Sequence, residues 1–362
     1  TGVPEEGYSF ASWGGDASGD TARTTVTVDK HLTVTADFSR DYIMPTLKDA
    51  NFRADGTFQF TVVAEPGVNV DIQYSLDLKN WVKQSTKTNP GTLEEAFIPP
   101  AGVAGMYFRV LVTGKGYSDN IVGYHLLEVP PGKSLLSSPL AKGGNTVAML
   151  LPAGPASLTV STWNSQAGEW AASTFGEAWS NAGLVILPGQ AALYDNKTGS
   201  AVTLKFTGEV TQGSMSTAIP VGDSYHTATL PLAGAVSTDF ELPTVEGLKV
   251  GLLNNDTGDW TTSTFTGGAW SPAEPTLAAG QGFRVTSLDE LNWARDINLN
   301  SQGTPKIVTQ PVGVLRIAGQ PVTFSVEATG TPLEYQWRFN GMNIDGATSE
   351  TLQLANVQHV QA

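Results

Sequence analysis

Polar and apolar side chains alternate with period two along most of the chain. The runs include Thr24-Thr25-Val26-Thr27-Val28, Leu32-Thr33-Val34-Thr35-Ala36-Asp37-Phe38 and Thr57-Phe58-Gln59-Phe60-Thr61-Val62. Met106-Tyr107-Phe108-Arg109-Val110-Leu111-Val112 and Val322-Thr323-Phe324-Ser325-Val326 continue the pattern. Alternation of this kind sends successive side chains to opposite faces of a strand, so each run predicts a strand with one face on a core. Gly, Pro, Asn and Asp clusters separate the runs at short spacing, as in sandwiches and barrels. Helical periodicity is confined to one short turn near Asn145 to Leu151. The longest apolar run, Val147 to Leu151, ends at Pro152, far short of the ~20 residues that a membrane helix needs. The pattern predicts an all-β chain of tandem β-sandwich modules with no membrane insertion.

The middle of the chain repeats itself. Gly168-Glu169-Trp170-Ala171-Ala172-Ser173-Thr174-Phe175 recurs as Gly258-Asp259-Trp260-Thr261-Thr262-Ser263-Thr264-Phe265, an offset of about 90 residues. Trp179-Ser180 then matches Trp270-Ser271, and Gly189-Gln190 matches Gly280-Gln281. Ser134 to Leu140 and Ser224 to Leu232 are the corresponding first strands, each leading into a Pro-Leu pair. Matches in one order predict a duplicated β-unit, packed as a pseudo-twofold body.

Composition narrows the function classes. Lys and Arg number 20 against 34 Asp and Glu, a formal net charge of −14. Polyanions such as nucleic acid and acidic lipid are repelled by that surplus. Charged residues are 15% of the chain, below the ~25% of an ordinary domain, while 40% apolar residues suffice for a core. The 39 Gly and 21 Pro argue against a helical protein. The absence of Cys excludes disulfides, thiolate metal sites and cysteine nucleophiles.

Five regions carry resemblances. Gly7-Tyr8-Ser9-Phe10-Ala11-Ser12-Trp13-Gly14-Gly15-Asp16, then Val26-Thr27-Val28-Asp29-Lys30 and Val34-Thr35-Ala36-Asp37-Phe38, resemble the second half of a bacterial extracellular repeat related to the B repeats of internalin-type surface proteins. That gives a first unit at 1–39. Residues 40–128 resemble a fibronectin-III-like sandwich through Ala64-Glu65-Pro66-Gly67, Ile72-Gln73-Tyr74-Ser75-Leu76-Asp77-Leu78-Lys79-Asn80-Trp81 and Tyr107-Phe108-Arg109-Val110. The duplicated units, 129–212 and 213–303, resemble a module of large secreted proteins in Verrucomicrobia-like bacteria. Trp163-Asn164, Gly168-Glu169-Trp170, Trp179-Ser180 and Pro188-Gly189-Gln190 carry that likeness. In the first copy Ala191-Ala192 replaces the usual Gly-Phe, which the second keeps as Gly282-Phe283. Residues 304–362 resemble a bacterial immunoglobulin-like domain through Pro305-Lys306-Ile307-Val308-Thr309-Gln310-Pro311, Ala318-Gly319-Gln320-Pro321-Val322-Thr323-Phe324, Tyr335-Gln336-Trp337-Arg338-Phe339-Asn340-Gly341 and Thr351-Leu352-Gln353-Leu354. In such domains the Trp, here Trp337, packs in the core.

Both ends are expected to cut through a module. Thr1-Gly2-Val3-Pro4-Glu5-Glu6 is neither basic nor apolar and does not begin with Met, which places any export signal upstream. The immunoglobulin-like pattern stops after Val357-Gln358, before the family's last strands. The expectation is a fragment of a longer protein, or strand exchange with another copy at the open C-terminal module.

Catalytic signatures are lacking. His31, His125, His226 and His359 sit in different segments, with no paired ligand spacing for zinc. No nucleophile elbow or phosphate loop occurs. Gly222-Asp223-Ser224 stands without the partners of a lipase block. Glu94-Glu95 and Asp289-Glu290 are neighbours on strands and so face opposite ways, unlike a glycosidase pair. No diagnostic motif for a Lys–Asn cross-link occurs.

Two binding chemistries remain open. Asn254, Asp256 and Asp259 gather oxygens around Gly258, a pattern that suits calcium and equally suits a hairpin turn. Nine Trp residues raise carbohydrate binding. Trp13, Trp81 and Trp337 fall at core positions of the families they resemble, whereas Trp170, Trp179, Trp260 and Trp270 stand beside Gly-rich turns in both copies. They are either a shared core or equivalent sugar-stacking sites. The expected function is a non-catalytic structural or adhesive segment of a large exported bacterial surface or extracellular-fibre protein, with further modules or copies of itself as partners. The alternative is a carbohydrate-binding accessory region of a secreted polysaccharide hydrolase.

Overall fold

The computed structural model describes residues 1–5, 8–28, 31–40, 43–88, 90–113, 115–299, 302–311, 314, 319–331, 335–339, 342–344, 346–355 and 357. Among these, the only helix is one turn at Val147–Leu150. Thr146 caps it, its side chain accepting from the backbone N–H of Met149. Everything else regular is strand, so the chain is all-β with several separate sheets.

The first unit is a hairpin of Tyr8–Gly15 against Val34–Arg40. Gly15 closes it at φ +74°, where an added Cβ would lie 2.2 Å from the carbonyl oxygen of Thr33. Phe10 packs on Trp13 and Phe38 with centroids 5.1 and 5.8 Å away, and the Trp13 indole donates to the carbonyl of Thr21 at 2.8 Å.

The second unit is a sandwich. Thr46–Phe52, Phe58–Val63 and Thr92–Phe97 form one sheet. Val70–Ser75, Val82–Lys87, Gly105–Val112 and Val122–Val129 belong to the other, a six-stranded sheet. The alternating residues Phe58, Phe60 and Val62 face Ile72, Phe108 and Val110 across a dry core. Arg109 leaves that core on the opposite face. Its guanidinium lies over Trp81 and Tyr117 at 4.1 and 3.7 Å and donates to Gln73 at 2.9 Å. Burial pulls its pKa down to about 10.

Val122–Val129 does two jobs. On one edge it pairs with Gly105–Val112, and on the other it pairs over its full length with Val202–Glu209, a strand of the duplicated region. The sandwich sheet therefore takes in one strand of the duplicated body as its edge. Gly105 and Gly123 make room for Tyr107 and His125 at this seam. An added Cβ at Gly123 would lie 2.5 Å from the carbonyl oxygen of Met106, and one at Gly105 would lie 2.6 Å from both the Tyr107 hydroxyl and Nδ1 of His125.

The sequence repeat is a structural repeat. The first copy's sheet runs Gly132–Leu136, Ala192–Asn196, Leu158–Asn164, Glu169–Thr174. The second runs Gly222–Thr227, Gly282–Ser287, Lys249–Leu253, Trp260–Thr266, with Ala269–Ser271 added at the edge. Gly213–Ile219 and Leu291–Ile297 pair in the second copy as Val122–Val129 and Val202–Glu209 do in the first. The copies meet reciprocally. Ser137 N–H donates to the carbonyl of Gly280 and Thr227 N–H to that of Gly189, both at 3.0 Å. The bridges Leu136↔Gln281 and Gln190↔His226 repeat the same exchange. This is a pseudo-twofold. Its contact explains one departure from the repeat: an added Cβ at Gly282 would lie 2.7 Å from Cβ of Ala191, so the pair tolerates one methyl, not two.

At the C-terminal end Gln302–Thr309 pairs with Glu327–Thr331, and Val322–Ser325 with Thr351–Leu354. The Trp337 indole donates to the carbonyl of Ser349 at 2.8 Å. Expectations concerning the chain after Val357 fall outside the described residues.

Candidate functional site

The duplicated region sorts its tryptophans into two classes by strand alternation. In Leu158–Asn164, Leu158, Val160 and Thr162 point into the core, leaving Thr159, Ser161 and Trp163 on the outer face. The hairpin through Asn164–Gly168 sets Trp163 opposite Trp170. The second copy places Trp260 opposite Leu253 by the same turn. Trp170 and Trp260 are thus equivalent, outward-facing and half-buried.

Trp179 is a core residue, and Trp270 packs half-buried against the core of its copy. Trp179 is 6% exposed, meets Phe175 edge-on at 5.2 Å and donates to the carbonyl of Leu151 at 2.7 Å. Trp270 meets Phe265 edge-on at 5.5 Å and donates to Oγ of Ser237 at 3.0 Å. Trp179, with its ring packed and its N–H committed, has no face left to offer.

Trp170 and Trp260 do converge, through a residue that the sequence pattern leaves out. Tyr225, on the strand Gly222–Thr227, has its ring centroid 4.8 Å from Trp170 and 6.2 Å from Trp260. Trp163 completes the group at 5.3 Å from Trp170 and 5.7 Å from Tyr225, donating to the carbonyl of Asp223 at 3.2 Å. The Arg284 guanidinium lies over Trp260 at 4.5 Å and pairs with Asp223 at 3.7 Å. Burial, then the charge of Asp223, hold the Tyr225 phenol above its ordinary pKa. Gly251 lies beneath: an added Cβ there would meet Trp260 at 3.1 Å and Nε of Arg284 at 3.5 Å.

Beside the row opens a cleft of about 340 Å³ between the copies. Trp163 and Tyr225 belong to both, and Gln190, Ser216, Thr217 and Ser224 supply amide and hydroxyl groups. His226 closes the cleft at 5% exposure. Its Nε2 is 2.8 Å from Oγ of Ser224. Burial, helped by the nearby Arg295 charge, pulls its pKa down to about 4.

The oxygen cluster at Asn254, Asp256 and Asp259 is organised as a turn. Oδ1 of Asn254 accepts from the N–H groups of Asp256 and Thr257 at 2.9 and 3.3 Å. The equivalent Asn164 accepts from Gln166 and Ala167 at 3.0 and 3.1 Å in a loop with one acid. The geometry needs no ion, and no set of three or more His, Cys, Asp or Glu suited to a metal occurs among the described residues. Of the adjacent carboxylates, Glu95 is buried and paired with Lys87 at 2.7 Å, while Glu94 turns outward to Arg53 at 3.6 Å. The second seam pocket, about 580 Å³, contains His125 and Tyr107. The phenol donates to the carbonyl of Pro231 at 3.2 Å and lies 3.0 Å from Nδ1 of His125, whose pKa burial pulls down to about 4.

No curated protein matches the chain. Residues 1–42 match the family model of the divergent InlB B-repeat domain, a repeat typical of bacterial surface and extracellular proteins.

Proposed function

We propose that this chain is a non-catalytic structural and adhesive segment of a large exported bacterial surface protein, a stiff spacer acting in series with further modules or copies. The observation that carries the reading is the strand Val122–Val129, hydrogen-bonded on both edges. A flexible linker would let neighbouring modules swing, whereas this ladder builds one strand of the first copy, Val202–Glu209, into the sandwich sheet. Two contacts extend the joint to the second copy: the Tyr107 hydroxyl on Pro231, and Nη1 of Arg109 on the carbonyl of Leu299 at 3.4 Å. Leu78, Tyr107, Ile121, Leu140 and Val210 seal the seam with a small apolar core. The B-repeat match at 1–42 supports the surface location.

Single-molecule pulling on the whole chain tests the spacer. One rupture should release the sandwich and the first copy together, because removing Val122–Val129 breaks both. Separate ruptures, each with the contour length of one module, would overturn it. Antibodies against the chain should label intact cells or their secreted fraction, and label confined to permeabilised cells would overturn the location. Turnover of a polysaccharide by the chain itself would overturn the non-catalytic part.

A further inference from the structure

Trp170, Tyr225 and Trp260 form a row of half-buried rings that no core requires. They occupy outer-face positions, where alternation ordinarily puts polar side chains. Core indoles in this body donate to a neighbour, as Trp179 and Trp293 do. The indoles of Trp170 and Trp260 have no hydrogen-bond partner among the described residues, and neither nitrogen is a buried orphan. The row adjoins a concave cleft through Tyr225, and the cleft is lined by the rings of Trp163 and Tyr225 together with neutral amide and hydroxyl side chains. Aromatic faces with a few placed polar groups mark a small-molecule site.

The chemistry narrows the ligand. Ring faces suit the apolar C–H face of a pyranose, and the Gln190 amide and Thr217 hydroxyl suit its hydroxyls as donors and acceptors. Asp223 and Arg284, both at the row, pair with each other. Thr286 also donates to Asp223, at 2.5 Å. With the chain at −14, a uronic or sulfated glycan is repelled. We propose that the row and cleft bind a neutral polysaccharide segment, with sugar rings stacked on Trp170, Tyr225 and Trp260 and hydroxyls bonded in the cleft. This stands on the aromatic row and not on the spacer reading, so its failure leaves that reading untouched.

Affinity electrophoresis of the full chain tests it, in gels cast with hydroxyethyl cellulose, xyloglucan, galactomannan or polygalacturonate. At least one neutral polymer should retard the protein. Trp170→Ala and Trp260→Ala should each weaken retardation about tenfold or more, since stacked aromatics dominate such contacts. Their melting temperatures should stay close to that of the parent chain. The same polymer should protect Trp170 and Trp260 of the unaltered chain from N-bromosuccinimide, a readout that needs no variant. Absence of retardation in every neutral gel would overturn the proposal. So would retardation by polygalacturonate alone, or retardation that survives the double variant.

Discussion

Acid should loosen this molecule well above the range where carboxylates titrate, because two imidazoles are buried uncharged. His125 and His226 are 4% and 5% exposed, and burial holds both at a pKa of about 4 against 6.5 for the free side chain. The folded-state values are depressed, so the unfolded chain binds more protons between pH 6.5 and 4. Stability is therefore fully present above pH 6.5, falls as the pH drops and levels off below 4. Integrating from pH 7 to pH 5 gives a loss of about 2 kcal/mol per ring. Glu274, held at about 2 by hydrogen bonds from Ser237 and Thr238 against the opposing effect of burial, acts in the same direction only below about pH 4.5. The window between 6.5 and 5 thus isolates the histidines. Urea titrations at half-unit steps, run on the parent and on His125→Gln and His226→Gln, measure the effect. Each variant should lose about half of the pH dependence, whatever its stability at pH 7. A parent midpoint that is flat from pH 7 to 5, or variants with the parent's slope, would refute the assignment of both rings as neutral.

Trp179→Ala empties a packed position and strands a carbonyl, so it should cost about 3–5 kcal/mol by thermal or urea melting, against less than about 1 kcal/mol for Trp260→Ala on the outer face. Gly123→Ala forces a methyl to within 2.5 Å of the Met106 backbone and should destabilise the seam by about 1–3 kcal/mol, lowering the melting temperature measured by calorimetry. Asn254→Ala removes the oxygen that receives two turn N–H groups and should cost about 1 kcal/mol. Millimolar calcium should leave the parent's melting temperature unchanged, and a rise reversed by chelator would restore the ion site.

The strands and the duplication were legible because they rest on local rules. Period-two alternation at Thr57–Val62 and Met106–Val112 marks strands buried on one face, and a repeated Gly-x-Trp turn marks a repeated hairpin. The seam was not legible. Val122–Val129 reads as the last strand of a sandwich, and nothing local shows that its free edge pairs with residues 80 positions later. The site shows the same division. Given the hairpin through Asn164–Gly168, register alone pairs Trp163 with Trp170. Tyr225 comes from the edge strand Gly222–Thr227 of the other copy, and only the pseudo-twofold brings it between Trp170 and Trp260. The sorting of Trp179 from Trp170 was out of reach for a different reason: both flank turns, and which one is buried depends on what Leu151 and Phe175 do in three dimensions.

Duplication also explains why there is one aromatic row and not two. A pseudo-twofold carries each residue to its counterpart, so Trp170 goes to Trp260, Tyr225 to Leu135 and Trp163 to Leu253. Leu135 is buried against the partner copy, where its side chain would meet any Cβ added at Gly282. Tyr225 occupies the matching strand position but remains half-exposed. The two equivalent tryptophans thus supply the symmetric ends of the row, while the asymmetric substitutions supply its middle and its cleft. With leucine at 225, as at 135, Trp170 and Trp260 would lack the ring that joins them. Arg284 is the other half of the same divergence, standing where the first copy has Leu193. It stacks on Trp260 only because Gly251 leaves the sheet face bare below it. Each copy keeps its own core, while at this face Tyr225 for Leu135 and Arg284 for Leu193 let the copies differ.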